Sequence, residues 1–259
     1  MTRSIDVVVM ARSIDVSTHQ IIGGRDEQED VILVAQCGRY TVAVVADGMG
    51  GHTDGKGAAT CAAQAFLDHV LEHVSGDPAP DESLNTLPLQ ALRHANVALL
   101  IAQAGRRRSG TTLTGLLTDG LTCAWAHIGD TRLWYVADGS SQVVTSDMHV
   151  PSMPHVLLGC IPLGSDAAPP ESGWFQLAAS GGRLVLTSDG VHGGYQRDHD
   201  VWLRTPGRQD YWRDVTRGDG TGLVDVGDAS AVVATGLRLS KVSEQNQDNA
   251  SAIVLEIRP

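Results

Sequence analysis

The sequence predicts an α+β domain in which helices are layered on antiparallel sheet. Two observations carry that expectation. Short apolar runs are separated by turn residues, as antiparallel strands usually are. Between two blocks of such runs lies a pair of stretches whose apolar residues recur at i+3/i+4 spacing, the mark of amphipathic helices. With 259 residues, 42% of them hydrophobic, the chain can bury a sizeable core.

Taken in order, the elements begin uncertainly. "RSIDV" occurs twice, at residues 3–7 and 12–16, too short a repeat for a structural array. Residues 1–16 are therefore expected to be an N-terminal extension, disordered or foreign to the natural protein, ahead of a single catalytic domain at 17–259. Strand-like runs follow at 31–36, 41–46, 112–117, 122–128, 132–136, 183–187 and 252–257. The first helix is expected over 56–74, with Ala59, Ala63, Phe66, Val70 and Val74 on one stripe. A second spans about 89–104, with Leu92, Ala95 and Leu99 inward and Pro88 near its start. Residues 148–172 are rich in Pro and Gly, and 195–222 are polar and irregular, with Trp202 and Trp212 as isolated anchors. Both read as surface excursions from one domain.

Composition excludes several classes. A formal charge of −11 argues against a general nucleic-acid binder, and Arg106-Arg107-Arg108 is short enough to be a solvated loop. No stretch approaches the ~20 apolar residues that span a bilayer, and no signal peptide is visible, so a cytoplasmic protein away from membranes is expected. Cys37, Cys61, Cys123 and Cys160 are scattered without a CxxC pair, as buried reduced thiols would be.

The stretch "VVADGMGGHTDG", residues 44–55, breaks the ordinary pattern. An apolar run ends on Asp47 and glycine follows at once. Alone, Asp-Gly is a turn. But "LVLTSDGVHGG" repeats the design at Asp189-Gly190, "AWAHIGDTRLWYV" at Gly129-Asp130, and "NQDNASAIVLEI" sets Asp248 before the last strand. In "GGRDEQEDVILV", Glu29 and Asp30 precede another. Carboxylates at so many strand ends suggest convergence on one edge of a sheet. Gathered carboxylates repel unless a cation neutralises them, and oxygen donors without Cys or His at metal spacing favour Mg²⁺ or Mn²⁺ over zinc. A glycine beside the Asp lets backbone approach closely and offers its own carbonyl as a ligand.

"GRDEQED", "VVADGMGG", "SGTTLTGLL", "HIGDTRLWYV", "LVLTSDG" and "QDNASAIVLEI" together resemble, in order and approximate spacing, the metal-dependent protein phosphatases of type 2C, in their bacterial branch. The likeness covers roughly residues 22–257. It implies a four-layer α/β/β/α sandwich, two antiparallel sheets flanked by helices, with a binuclear metal site at one end. By motif, Asp47 would bridge two Mn²⁺ or Mg²⁺ ions and the Gly48 carbonyl would ligate one, with Asp189 and Asp248 completing the set. Glu29 and Asp30 would hold metal-bound waters, and Arg25 would clamp the substrate phosphate. Asp130, with Asp189, matches a third-metal position. The implied reaction is hydrolysis of phosphoserine or phosphothreonine proteins by direct attack of a metal-bridging hydroxide.

Each position has a plainer reading: Arg25 as a surface ion-pair residue, Asp130 as a turn cap, Asp225 or Asp228 in place of Asp248. Thr111 and Thr112 are expected to orient backbone. The sequence also departs from the pattern. Met49 stands where many eukaryotic members carry a proton-donating His, which leaves His52 and His192 as candidate general acids beside a water or no dedicated acid. Residues 147–164 are abbreviated where bacterial relatives carry a flap, so a small or absent flap is expected. The resemblance points to a monomeric phosphatase opposing a bacterial Ser/Thr kinase. Phosphatase action on an anti-sigma-factor antagonist, a non-catalytic phosphoprotein-binding pseudophosphatase, and a domain that holds a cation structurally remain alternatives.

Overall fold

The computed structural model describes residues 12–49, 54–78, 82–105, 109–150, 153–164, 167–192, 223–224, 227–240 and 247–259. One sheet is built from β2 (Asp30–Cys37), β3 (Tyr40–Met49), β5 (Leu113–Thr118), β6 (Thr122–Ile128) and β11 (Glu171–Gln176), ordered β11-β6-β5-β3-β2. The two-residue β4 (Gly110–Thr111) pairs beside the end of β3. The other sheet is built from β1 (Ile14–Ile21), β7 (Arg132–Ala137), β8 (Ser140–Val143), β12 (Gly182–Thr187) and β13 (Ala250–Ile257), ordered β1-β13-β12-β7-β8. All pairings are antiparallel. The expected class is the observed one.

Side-chain alternation builds the layers. Along β3, Val42, Val44 and Ala46 pack under α1 (Gly55–Val74) and α2 (Leu87–Ala102), while Ala43 and Val45 face the other sheet, against Leu184, Leu186, Ile253 and Leu255. A third cluster, with Trp134, Val185 and Val254, packs under α3 (Asp189–His192) and α4 (Ala229–Ser240). Three apolar layers therefore separate four structural ones.

α1 starts where the Asp54 side chain accepts from the Gly57 amide at 2.7 Å, an N-cap. Its buried stripe, Ala59, Ala63, Phe66, Val70 and Val74, is the one the sequence predicts. α2 begins at Leu87 rather than near 89, because Pro88 fits the first helical turn, where its missing N–H has no intrahelical partner to lose. Asp228, weighed above as a metal acid, caps α4 instead: its Oδ1 accepts from the Ala231 amide at 3.0 Å.

The expected extension at 1–16 meets a correction at its boundary. β1 starts at Ile14 and pairs in register with β13, from Ile14↔Ile257 to Ile21↔Ala250, and Ile14 and Val16 pack on the inter-sheet core. Residues 1–11 lie outside the described residues, as do 106–108 and 195–222 with Trp202 and Trp212. The abbreviated segment 147–164 contains a small hairpin, β9 (His149–Val150) with β10 (Met153–Leu157), after which Ile161 bridges to Thr111. None of the described helices is long and apolar enough to cross a membrane.

Candidate active site

The register of β2 on β3 sets Asp30 directly opposite Asp47. At the same end of the sandwich, β12 runs out beside the start of β13, where the Ser188 amide donates to the Ser251 carbonyl at 3.0 Å. Asp30 joins the two sheets there. Its Oδ2 accepts from Ser188 Oγ at 2.7 Å and from Ser251 Oγ at 2.6 Å, and Gln20 donates onward to Ser251 at 3.0 Å. Asp30 Oδ1 is buried with no hydrogen-bond partner. Burial pushes the Asp30 carboxyl up to about 7, against its two serine donors and with help from the charges of Asp189 and Asp248.

Asp47 is fixed through its backbone. Its amide donates to Thr112 Oγ1 at 3.0 Å, and its carbonyl accepts from the Thr112 amide at 3.0 Å and Thr111 Oγ1 at 2.9 Å. The two threonines orient backbone, as expected. Burial, then the charges of Asp30, Asp189, Asp248 and Asp130, hold the Asp47 carboxyl well above the usual carboxylate range.

Gly48 shows why glycine follows this Asp. Its amide donates to the Glu29 carbonyl at 3.2 Å, and a Cβ there would overlap the Gly55 carbonyl. A Cβ on Gly55 would in turn overlap Glu29 Oε1, so the Glu29 carboxylate lies against the first residue of α1. Burial raises the Glu29 carboxyl; Arg25 opposes that, and Glu27, Asp248 and Asp54 add to it.

Asp248 precedes β13 and receives Arg25 Nη2 on its Oδ2 at 2.5 Å. Burial works against the Arg25 charge, but Asp248, Asp189 and Asp47 outweigh it and raise the guanidinium pKa. Asn249 holds the 22–29 loop against this strand. Its Oδ1 accepts from the Glu29 amide at 2.8 Å, while its Nδ2 donates to the carbonyls of Ile22 at 2.8 Å and Glu27 at 3.0 Å. Gly190, after Asp189, passes so close that a Cβ would overlap the Asn249 carbonyl.

His192 is corrected as a candidate acid. It is 2% exposed, and both ring nitrogens are engaged. Nε2 lies 2.9 Å from the Asp130 carbonyl, which can only accept, so Nε2 carries the proton. Nδ1 lies 2.7 Å from Thr187 Oγ1, and Thr187 accepts from Trp134 Nε1 at 3.1 Å. These contacts fix the imidazole in the wall. His52 lies outside the described residues, and Met49 pairs with Gly110 at the end of β3.

The fold thus collects Arg25, Glu29, Asp30, Asp47, Gly48, Asp130, Asp189 and Asp248 from separate segments at one end of the sandwich. Among the described residues, no three Asp, Glu, His or Cys side chains close around one point. Asp248 is drawn onto Arg25 instead. The donor chemistry still fits hard divalent cations: oxygens only, an unpartnered buried Asp30 Oδ1, and a backbone approach at Gly48 that any side chain would block. Sequence reasoning missed Ser188, Ser251 and Asn249. The "TSD" and "DNAS" strings place all three beside an acid, but a serine or asparagine there reads equally as turn chemistry.

A family profile for protein phosphatase 2C matches residues 19–206, more than half of the chain. The chain belongs to the protein phosphatase 2C family. Its enzyme class is protein serine/threonine phosphatase. Solved structures agree on the fold of this phosphatase. Stp1, a serine/threonine phosphatase from Staphylococcus aureus, superposes with a TM-score of 0.70 at 16% identity over 100% of each chain. PstP/Ppp of Mycobacterium tuberculosis gives 0.66 at 20% identity, covering 95% of this chain and 99% of its own. The PstP catalytic domain in complex with two manganese ions gives 0.65 at 21% identity, covering 95% and 99%. No curated protein matches by sequence.

Proposed function

We propose that this phosphatase hydrolyses phosphoserine and phosphothreonine on proteins, with Mn²⁺ or Mg²⁺ held by Asp47, the Gly48 carbonyl, Asp189 and Asp248, and a third ion near Asp130. One observation supports the reading above the others: four acids from four distant segments act on the Asp47 carboxyl at once. Burial and repulsion together destabilise a cluster of carboxylates unless the site uses it to bind positive charge. The cations, when bound, supply the charge that acidifies water and neutralises phosphoryl oxygens.

The chain's own residues do the rest. Arg25 spends one donor on Asp248 and keeps the remainder of its fork for phosphoryl oxygens. Asp30, with Oδ2 fixed by two serines, presents Oδ1 to accept a hydrogen bond from ordered water. Glu29 is held over α1 for the same task. Water attacks phosphorus in line and the bond to the seryl or threonyl oxygen breaks, giving inorganic phosphate and the free hydroxyl. Met49 has no proton to give and both ring nitrogens of His192 are engaged, which leaves His52 or solvent to protonate the departing oxygen.

The substrates are phosphoproteins made by a bacterial Ser/Thr kinase, and the enzyme acts as a monomer. Hydrolysis of p-nitrophenyl phosphate and a phosphothreonine peptide, with Mn²⁺, Mg²⁺ or chelator, tests the proposal. Metal-dependent turnover that collapses in Asp47→Asn and Asp189→Asn is expected. Metal binding without turnover of either substrate would replace it with the phosphoprotein-binding reading, which the Arg25–Asp248 pair would then explain.

A further inference from the structure

Among the described residues, the helical layer leaves one corner of its sheet uncovered. There Tyr40, Leu117, Ala124 and Trp174 form an apolar floor on the helix-facing side, and the 3₁₀ turn Glu82–Thr86 that leads into α2 forms a wall. The resulting cavity has a volume of about 260 Å³. That lies just below the ~300–1,000 Å³ of ordinary ligand pockets, so it suits a single side chain. It is also far from the candidate active site. Tyr40 and Asp47 are seven residues apart along β3, roughly 23 Å at ~3.3 Å per residue.

Three features define what would fill it. Trp174, on the edge strand β11, is 54% exposed, an unusual exposure for so large an aromatic. Glu82 and Asp119 bring carboxylates to the same lining. Asp119 uses Oδ1 to accept the amides of Leu121 at 2.9 Å and Thr122 at 2.8 Å, a turn that holds the carboxylate in place. Among the described residues, Arg39 and Arg12 hold other partners, although the Arg39 charge also acts on Asp119. Arg39 is bound to Asp77 at 3.0 Å, and Arg12 donates to the carbonyls of Gly120 at 3.0 Å and Ala178 at 2.8 Å.

We propose that this corner is a docking site for an arginine side chain presented by a partner protein. A guanidinium stacks on an indole face while its planar fork reaches carboxylates on either side, a combination that a compact ammonium satisfies less well. The chain's net charge of −11 draws basic segments to it. Such a site at the far end of the sheet would anchor a basic segment of a phosphoprotein while its phosphorylated residue reaches Arg25. That last role rests on the proposed phosphatase function; the binding itself does not.

The probe is Nα-acetyl-argininamide, titrated against the whole protein while the indole N–H signal of Trp174 is followed by NMR. Nα-acetyl-citrullinamide, a neutral near-isostere, serves as control. Saturable binding of the arginine probe in the millimolar range is expected, at least tenfold tighter than the control. The affinity should fall at least fivefold in Glu82→Gln and in Asp119→Asn, which keeps the Oδ1 acceptor and removes only charge. Activity on p-nitrophenyl phosphate should be unchanged in both variants, while KM for an arginine-bearing phosphopeptide rises with kcat constant. Equal shifts from the two probes, or unaltered arginine binding in both variants, would overturn the proposal. Arginine binding in a protein that hydrolyses nothing would leave it standing and remove the phosphatase reading alone.

Discussion

Asp47-Gly48 and Asp189-Gly190 are the same dipeptide after the same kind of apolar strand, yet they fold differently. The first continues as strand to Met49 and adds β4 alongside; the second opens a helical turn, α3. What they share is a crossing. Backbone from elsewhere presses on each glycine, that of Gly55 and Glu29 on Gly48 and that of Asn249 on Gly190. Local secondary structure is thus incidental to the motif. Its purpose is to bring a carboxylate to a place where two backbones touch, and the polar supports differ accordingly: threonines behind Asp47, and serines tying Asp30 across to the residue before Asp189 and to β13.

The comparison can be broken at several depths. The largest effect is expected for Asp47→Asn, which should lower kcat by about 10³-fold, the scale of removing one preorganised electrostatic element. Because burial, and then the charges of four acids, raise the Asp47 carboxyl, the same variant should melt at a higher temperature than wild type when metal-free. Calorimetry in chelator reads this, and a lower melting point would deny that the buried Asp47 charge costs stability. Next, Gly190→Ala should cost about 3 kcal/mol and Gly48→Ala about 2 kcal/mol in urea unfolding, since each Cβ meets backbone that cannot yield as a side chain would. If either variant is neutral, the crossing is not what demands glycine there.

Asp147 supplies the contrasting case, a carboxylate with its own cation. Arg132 holds it with two contacts, Nε at 2.7 Å and Nη2 at 2.5 Å. Burial opposes its charge, but Arg132 prevails and the carboxyl sits below the usual range. A depressed folded pKa contributes stability above the unfolded value, near 3.9, which is lost as pH falls through the folded one. Asp147→Asn should therefore cost about 2 kcal/mol at pH 7 and progressively less below about pH 4. Chemical denaturation at both pH values checks the sign. The smallest effect belongs to Thr112→Val, about 1 kcal/mol for one lost hydrogen bond to the Asp47 amide, with a measurable fall in kcat as the carboxylate loses its alignment.

The core of the fold was legible because period-2 and period-3.6 patterns record burial directly; β3 and α1 show it residue by residue. β1 was not, since "IDVSTHQI" alternates weakly and follows a duplicated string, so its pairing with β13 is set by tertiary contact and not by local preference. α4 and β11 escaped for the same reason, lying in stretches broken by Gly, Pro and polar residues. At the candidate site, the acids could be named because charge at a strand end is conspicuous. Their supports, Ser188, Ser251 and Asn249, could not, because a small polar residue acquires its role only from a neighbour more than 150 positions away. His192 misled in the opposite way: beside "SDG" it looks catalytic, and only Thr187 and the Asp130 carbonyl reveal a wall.

The zipper of β1 along β13 has a consequence for biosynthesis. Of the described strands, the one that completes the second sheet leaves the ribosome last, and Arg25's counter-ion and the asparagine that fastens the 22–29 loop are translated immediately ahead of it. A nascent polypeptide halted before residue 248 carries most of the acids but cannot seat them. The Arg25 ion pair and the fastening of the 22–29 loop therefore form only after the segment leading into β13 has been made.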